Sequence, residues 1–197
     1  AIEALGMKPT WQQEMLFKSI AYDGSRTTVA SGHGCFGKGT MVRLFNGDLS
    51  PIELIKEEDV LRNGDGRTPM RVYSVCDGEQ EMFRFTYQDG TVHEFNRSHI
   101  LCLRNPQKWG KDDAGHSIRI TVGEYLTWTT RKRKAWCAYR LTSDYGSSRP
   151  TYKMIKIKKV ESLGLGHYYG VELEPIDGAY NFLLADDTVV SNTGKTS

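Results

Sequence analysis

The sequence is short of several things that would have assigned it quickly. Its 197 residues hold only four cysteines, Cys35, Cys76, Cys102 and Cys137. Their gaps are irregular and contain no Cys-x-x-Cys pair, so no zinc pattern is present. Free thiols in a reducing, cytoplasmic compartment are the expectation. A surplus of one charge is also missing. Lys plus Arg number 26 against 24 for Asp plus Glu, a net charge of +2. That excludes a strongly basic field of the kind that binds polyanions. No apolar run approaches the ~20 residues of a transmembrane helix. The opening Ala1-Ile2-Glu3-Ala4 has neither a basic n-region nor an apolar h-region, so no signal peptide is expected.

What remains is ordinary globular material. Hydrophobic residues make up 39% and charged ones 25%, enough to bury a core and too much to stay disordered. The length fits one domain with flanking peptides. Twenty glycines, with 10 Tyr, 7 Phe and 4 Trp, lean toward β-structure with many turns.

The two ends carry halves of one motif. Residues 7–22 read as a short helix, with Thr10 as N-cap and Gln13 as its capping-box partner. Arg26–Ala30 reads as a strand running into the Gly-rich turn Ser31-Gly32-His33-Gly34. That is the opening half of a phosphate loop. Cys35-Phe36-Gly37-Lys38 follows instead of the second half, which stands at the far end as Thr193-Gly194-Lys195-Thr196-Ser197. With residues 35–192 removed, the ends join into a strand, a Gly-rich turn and Gly-Lys-Thr. Ser31 takes the place of the motif's first Gly. Gly-Lys-Thr alone is a weak signal, but two halves that complete each other are far more specific.

The interrupting stretch is strand-rich. Thr40–Phe45 leads into the hairpin turn Asn46-Gly47, and Ser50–Ile55 resembles a short helical turn. Met82–Tyr87 and Thr91–Phe95 are strands about a second hairpin turn at Asp89-Gly90. Residues 104–116 and 143–151 read as loops. Thr121–Lys134 reads as one helix with a basic end, Arg131-Lys132-Arg133-Lys134, on a solvated face. Met154–Val160, Tyr168–Leu173 and Thr188–Val190 read as further strands.

The residues at the seams share a chemical logic. A cysteine thiol can attack the preceding carbonyl and move its acyl group from nitrogen to sulfur, as Cys35 could with Gly34. A Thr193 hydroxyl can take over that acyl group. The Asn192 side-chain amide can attack its own carbonyl, closing a succinimide and cutting the next peptide bond. The freed Thr193 amine then captures the acyl group as a normal peptide. Gly34 would be joined to Thr193, and residues 35–192 released. Each residue alone has a plainer reading: a buried thiol for Cys35, a turn for Asn192.

At these positions residues 35–192 resemble an intein of the small kind, without a homing-endonuclease insert. Cys35–Val42 resembles the first intein block. Asp89–His99, with Asn96 and His99, resembles the second, which in the family ends in Thr-x-x-His. Tyr169–Leu173 and Tyr180–Ala185 resemble the late blocks, and Val189-Val190-Ser191-Asn192 the terminal one. The resemblance implies a mainly β, horseshoe-shaped Hint fold with a few short helices. It implies three regions: an upstream flank 1–34, a splicing domain 35–192 and a downstream flank 193–197. Four departures stand out. Asn96 replaces the usual Thr, yet still offers a hydrogen-bond donor and acceptor. Ser191 replaces the usual His before the terminal Asn. Gly170 occupies the usual Asp position and Tyr180 the usual His position, where a phenol could donate a proton or simply pack.

The resemblance makes His99 the catalytic imidazole at the upstream seam, with a pKa suited to neutral pH. His93, His116 and His167 have no motif support and are expected to pack or lie on the surface. An acceleration of ~10⁶ needs about 8 kcal/mol. One placed acid or base supplies roughly 10²–10⁴ of that and one oxyanion donor roughly 10²–10³. Two or three groups are therefore enough, and no metal, cofactor or partner is expected. The demand is geometric, because both seams must meet.

The flanks resemble the start of a phage large terminase ATPase, with Trp11-Gln12-Gln13 as an adenine-contacting motif. That implies a host protein binding ATP and DNA, with no membrane. Gly32, Gly34, Gly194, Lys195 and Thr196 would form its phosphate loop once joined. Two other readings stay open: a nucleotide-binding module that uses Lys195 directly, and a self-cleaving Hint domain without ligation. Cys76, Cys102 and Cys137 are expected to be buried thiols, with redox or metal inhibition through Cys35 or Cys102 as the alternative.

Overall fold

The computed structural model describes residues 34–106, 117–174, 176 and 181–191. The helix expected over 7–22 and the strand expected at Arg26–Ala30 lie outside them. The described chain is mainly β, as expected. Its strands are β1 (Phe36–Gly37), β2 (Met41–Arg43), β3 (Leu49–Pro51), β4 (Val60–Arg62), β5 (Pro69–Tyr87), β6 (Val92–Asn96), β7 (Ile100–Arg104), β8 (Ser117–Thr121), β9 (Cys137–Leu141), β10 (Tyr152–Leu173), β11 (Asn181–Leu183) and β12 (Val189–Ser191). Two short helices, α1 (Val122–Thr127) and α2 (Thr130–Ala135), lie between β8 and β9.

Both hairpin turns form where the sequence places them. Gly47 and Gly90 have φ of 102° and 88°, a left-handed backbone that favours glycine. In each turn the preceding polar side chain accepts a backbone N–H two residues on: Asn46 from Asp48 at 3.0 Å and Asp89 from Thr91 at 3.1 Å. The helical turn expected over Ser50–Ile55 shrinks to a 3₁₀ turn at Ile52–Leu54, because Ser50 and Pro51 pair with β2.

The single helix expected over Thr121–Lys134 is two. Thr121 caps α1 with a full capping box: its hydroxyl accepts from the Glu124 N–H at 3.1 Å, and Glu124 accepts from the Thr121 N–H at 2.8 Å. Trp128 and Thr129 are extended, and Thr129 caps α2 in turn. Four Thr and Trp residues in a row offer a new N-cap more readily than a continued helix. Arg131, Lys132 and Lys134 are exposed as expected, while Arg133 is half-buried against the Tyr125 ring.

The main sheet runs β4-β5-β6-β1-β10-β9-β7-β8, and β5 also pairs with β10. That last pairing closes a ring of β5, β6, β1 and β10. β10 is one strand of 22 residues where the sequence marks two pieces. Both β10 and β5 keep their mid-sections half-exposed, so Gly164, Gly166 and the charges near them ride on a continuous ribbon. Inside the ring, Phe36, Phe85, Phe95, Leu61, Met70, Val72, Val171 and Phe182 are almost fully buried. Alternation places Phe83, Phe85 and Tyr87 of β5 inward and leaves Arg84 out.

Candidate functional site

The upstream seam lies at the start of β1, deep in the ring. Gly34 and Cys35 are buried. β1 is held on one side by β6, with Phe36 opposite Phe95, and on the other by β10, with Phe36 opposite Tyr169. The peptide N–H between Gly34 and Cys35 donates to Asn96 Oδ1 at 2.9 Å. The Asn96 N–H donates back to the Cys35 carbonyl at 3.1 Å. Asn96 thus touches both ends of the Cys35 backbone unit. It is fully buried, and β6 ends at it because its carbonyl accepts the His99 N–H at 3.1 Å and turns the chain.

His99 stacks on Phe95, with ring centroids 4.3 Å apart, and meets Phe36 edge-on at 4.7 Å. It is completely buried. Burial is the main reason its pKa falls to about 3, and the charges of His93 and Arg119 push the same way. Only the Gly34 backbone favours the charged form, and neither ring nitrogen completes a normal hydrogen bond. The expectation of an imidazole titrating near neutrality is therefore corrected. His99 is a neutral group with one N–H to offer beside Gly34, able to polarise a carbonyl rather than carry a charge. A Cβ on Gly34 would sit 2.9 Å from His99 Cα, 3.2 Å from the Ile100 nitrogen and 3.3 Å from the Ser98 oxygen, so backbone meets backbone there.

Of the downstream seam, Ser191 is described and fully buried. It ends β12, opposite Asn181 of β11. The Arg119 guanidinium, reaching in from β8, donates to Ser191 Oγ. Arg119 also acts electrostatically on His99, so one cation bears on both His99 and Ser191. No motif marked Arg119; the signal was only a charge in the alternating strand Ser-Ile-Arg-Ile-Thr. Tyr180, Asn192, Thr193, Gly32, Gly194, Lys195 and Thr196 lie outside the described residues.

Cys76 is the second residue that sequence reasoning missed. Its Sγ lies 3.5 Å from Cys35 Sγ. The shared proton and burial push the Cys35 thiol up, while the same contact pulls Cys76 down. All four cysteines are unpaired, and only Cys102 and Cys137 are inert buried thiols in the expected sense. His93 is buried and meets Asp186 at 3.3 Å; His167 is exposed and meets Glu79. His116 lies outside the described residues.

Solved structures share this architecture. The gp41-1 intein crystal structure matches with a TM-score of 0.56 at 16% identity, over 82% of this chain and 100% of that one. The chain has the intein fold. A crystal structure of an Ssp DnaB mini-intein variant matches with a TM-score of 0.55 at 13% identity, over 85% and 100%. A solution structure of a bacterial intein-like domain from Clostridium thermocellum matches with 0.53 at 18% identity, over 82% and 100%. The sequence matches no protein-family model and no curated protein. Within the intein fold, the described residues include no helix long and apolar enough to cross a membrane.

Proposed function

We propose that the chain is a self-splicing precursor that excises residues 35–192 and joins Gly34 to Thr193. The observation that carries this reading is the Gly34–Cys35 peptide. It is buried, gripped at its N–H by Asn96 and flanked by His99, with a thiol on the next residue. A peptide bond held this way is poised to be broken, because Asn96 can rotate the amide out of conjugation and His99 can polarise the Gly34 carbonyl.

The steps use this chain's own groups. Cys35 Sγ attacks the Gly34 carbonyl, and the C–N bond gives way to a thioester. The Thr193 hydroxyl takes the acyl group from sulfur. Asn192 cyclises and cleaves its bond to Thr193, assisted by Ser191, Arg119 and Tyr180. The Thr193 amine then displaces its own ester oxygen, leaving a peptide. Each reaction consumes the precursor, so turnover is single and in cis.

The sequence of the flanks extends the proposal. Joining them assembles Gly32, Gly34, Gly194, Lys195 and Thr196 into a phosphate loop in a terminase-like ATPase. Splicing would then switch on a cytoplasmic, phage-borne host that binds ATP and DNA. The experiment is to express the chain and weigh its products. Residues 1–34 joined to 193–197, with 35–192 free, is the expected outcome. Cleavage at both seams without a joined product would leave a self-cleaving domain, and an unaltered chain would end the proposal. Cys35→Ala should stop upstream cleavage, and Asn192→Ala should leave it intact while blocking release.

A further inference from the structure

The register of the ring places three residues in one row. Gly37 and Phe36 of β1 face Tyr168 and Tyr169 of β10; the same register carried one residue beyond β1 sets Cys35 opposite Gly170. On the other edge of β10, Gly170 faces Cys76 of β5. Neighbours in register share a face of the sheet. Cys35 and Cys76 therefore flank a residue with no side chain, and their thiols meet over it at 3.5 Å. An amino acid with a Cβ at 170 would stand between them.

The separation decides what the pair can do. Two strand spacings put the Cα atoms roughly 9 Å apart. A disulfide needs about 4.4–6.8 Å, so oxidation would require β1 to leave its place. A shared proton needs no movement.

We propose that Cys76 is the proton acceptor for Cys35 in the first acyl shift, a catalytic residue in direct contact with the reacting sulfur. This rests on the splicing reading above. The pair holds one proton in its monoanionic form, as two close acids do. Cys76 takes the proton from Cys35 Sγ, and the Cys35 thiolate adds to the Gly34 carbonyl carbon. The C–N bond breaks, and the Cys35 nitrogen takes up one proton as it becomes an amine. Cys76 releases the one it held, through water reaching its half-buried side. One proton has moved from sulfur to nitrogen and no electrons have changed hands. The groups around Cys76 are Asp77 on β5, Glu172 and Tyr168 on β10, and Cys35 just ahead of β1. The hydrogen bond with Cys35 favours the Cys76 thiolate and outweighs burial and the two carboxylates, which oppose it. Gly170 lacks a carboxylate where the family resemblance places Asp, and Cys76 supplies the base from the neighbouring strand.

The test uses the full chain with Asn192→Ala and Thr193→Ala together, so that neither cyclisation nor transfer to oxygen can follow and only the upstream step runs. Release of residues 1–34 by added dithiothreitol is followed from pH 6 to pH 9.5. Cys76→Ala and Cys76→Ser should each slow release about 100-fold at pH 7, the worth of one placed base. Their rates should climb about tenfold per pH unit and narrow the gap to the parent by pH 9.5, as hydroxide replaces Cys76 in taking the Cys35 proton. Cys76→Asp should recover part of the loss at pH 7. Parental rates and profile in Cys76→Ser would overturn the proposal, as would a loss equal at every pH. If the Asn192→Ala, Thr193→Ala parent itself releases nothing, or releases the fragment equally well with Cys35→Ala, it is the splicing reading that fails.

Discussion

The rings of Phe36 and Phe182 meet edge-on with centroids 5.6 Å apart. Phe36 follows the upstream seam, and Phe182 lies opposite Val190, two residues before the downstream one. The residue after Cys35 and the strand paired with Val190 thus share one aromatic contact in the core. Phe182→Ala should cost about 3–5 kcal/mol of stability. It should also slow cleavage at both seams. Urea unfolding with cleavage assays reads both, and a stable variant with normal cleavage would show that the contact is incidental.

Gly34 has no room for a methyl group, since the neighbouring atoms are backbone. Gly34→Ala should displace the scissile peptide from Asn96 and lower the rate of dithiothreitol-induced release at least tenfold. Folding of the remainder should be unaffected by circular dichroism. An unchanged rate would mean that the seam tolerates a shift of its backbone.

Asn96 Oδ1 is the acceptor for the scissile N–H. Asn96→Ala leaves that buried donor unpaired, a change of about 1–3 kcal/mol in a site of this kind. The upstream rate should fall about 10- to 100-fold while Asn192 cyclisation continues. Mass spectrometry of the released fragments separates the two, and equal loss at both seams would point to a general fault in folding.

His99 has a folded pKa of about 3 against 6.5 for an ordinary imidazole. Between those values the unfolded chain binds a proton that the folded chain refuses. Its contribution is therefore intact above pH 6.5 and erodes on acidification toward pH 3, by at most about 1.4 kcal/mol per pH unit. Urea midpoints at pH 7.5 and 5.5 should show this slope in the parent and a smaller one in His99→Gln. Equal slopes would place the neutral state of His99 in doubt.

Arg119 donates to Ser191 beside the downstream seam. Arg119→Gln should slow release at Asn192 about tenfold and spare the thiol-dependent upstream step. Loss confined to the upstream step would reverse this assignment.

Much of this was legible in the sequence, for reasons that can be named. Asn46-Gly47 and Asp89-Gly90 fix hairpins by local backbone chemistry, so no tertiary knowledge is needed. Cys35 could be singled out by its place at the broken phosphate loop, and Asn96 and His99 by the family resemblance of their block, and the fold brings them together. The length of β10 was hidden, because Gly164 and Gly166 look like a turn until β5 pairs along them. Arg119 and Cys76 were hidden for a different reason. Cys76 reaches its partner 41 positions away across the ring, and Arg119 reaches Ser191, 72 positions away, from the main sheet to the separate β11–β12 pair; no local pattern encodes such meetings. The depressed pKa of His99 was equally illegible, since burial belongs to the packed ring and not to the residue.

The pairing of Phe36 with Tyr169 has a consequence for timing. While the ribosome is still making the first half of the polypeptide, the strand that completes the pocket does not exist. The loop to be closed spans more than a hundred residues, and such distant pairings form late. The thiol at position 35 therefore emerges from the ribosome long before it has anything to react through. On the splicing reading, premature scission of a half-made protein would be avoided by geometry, with synthesis of the final strands acting as the starting signal.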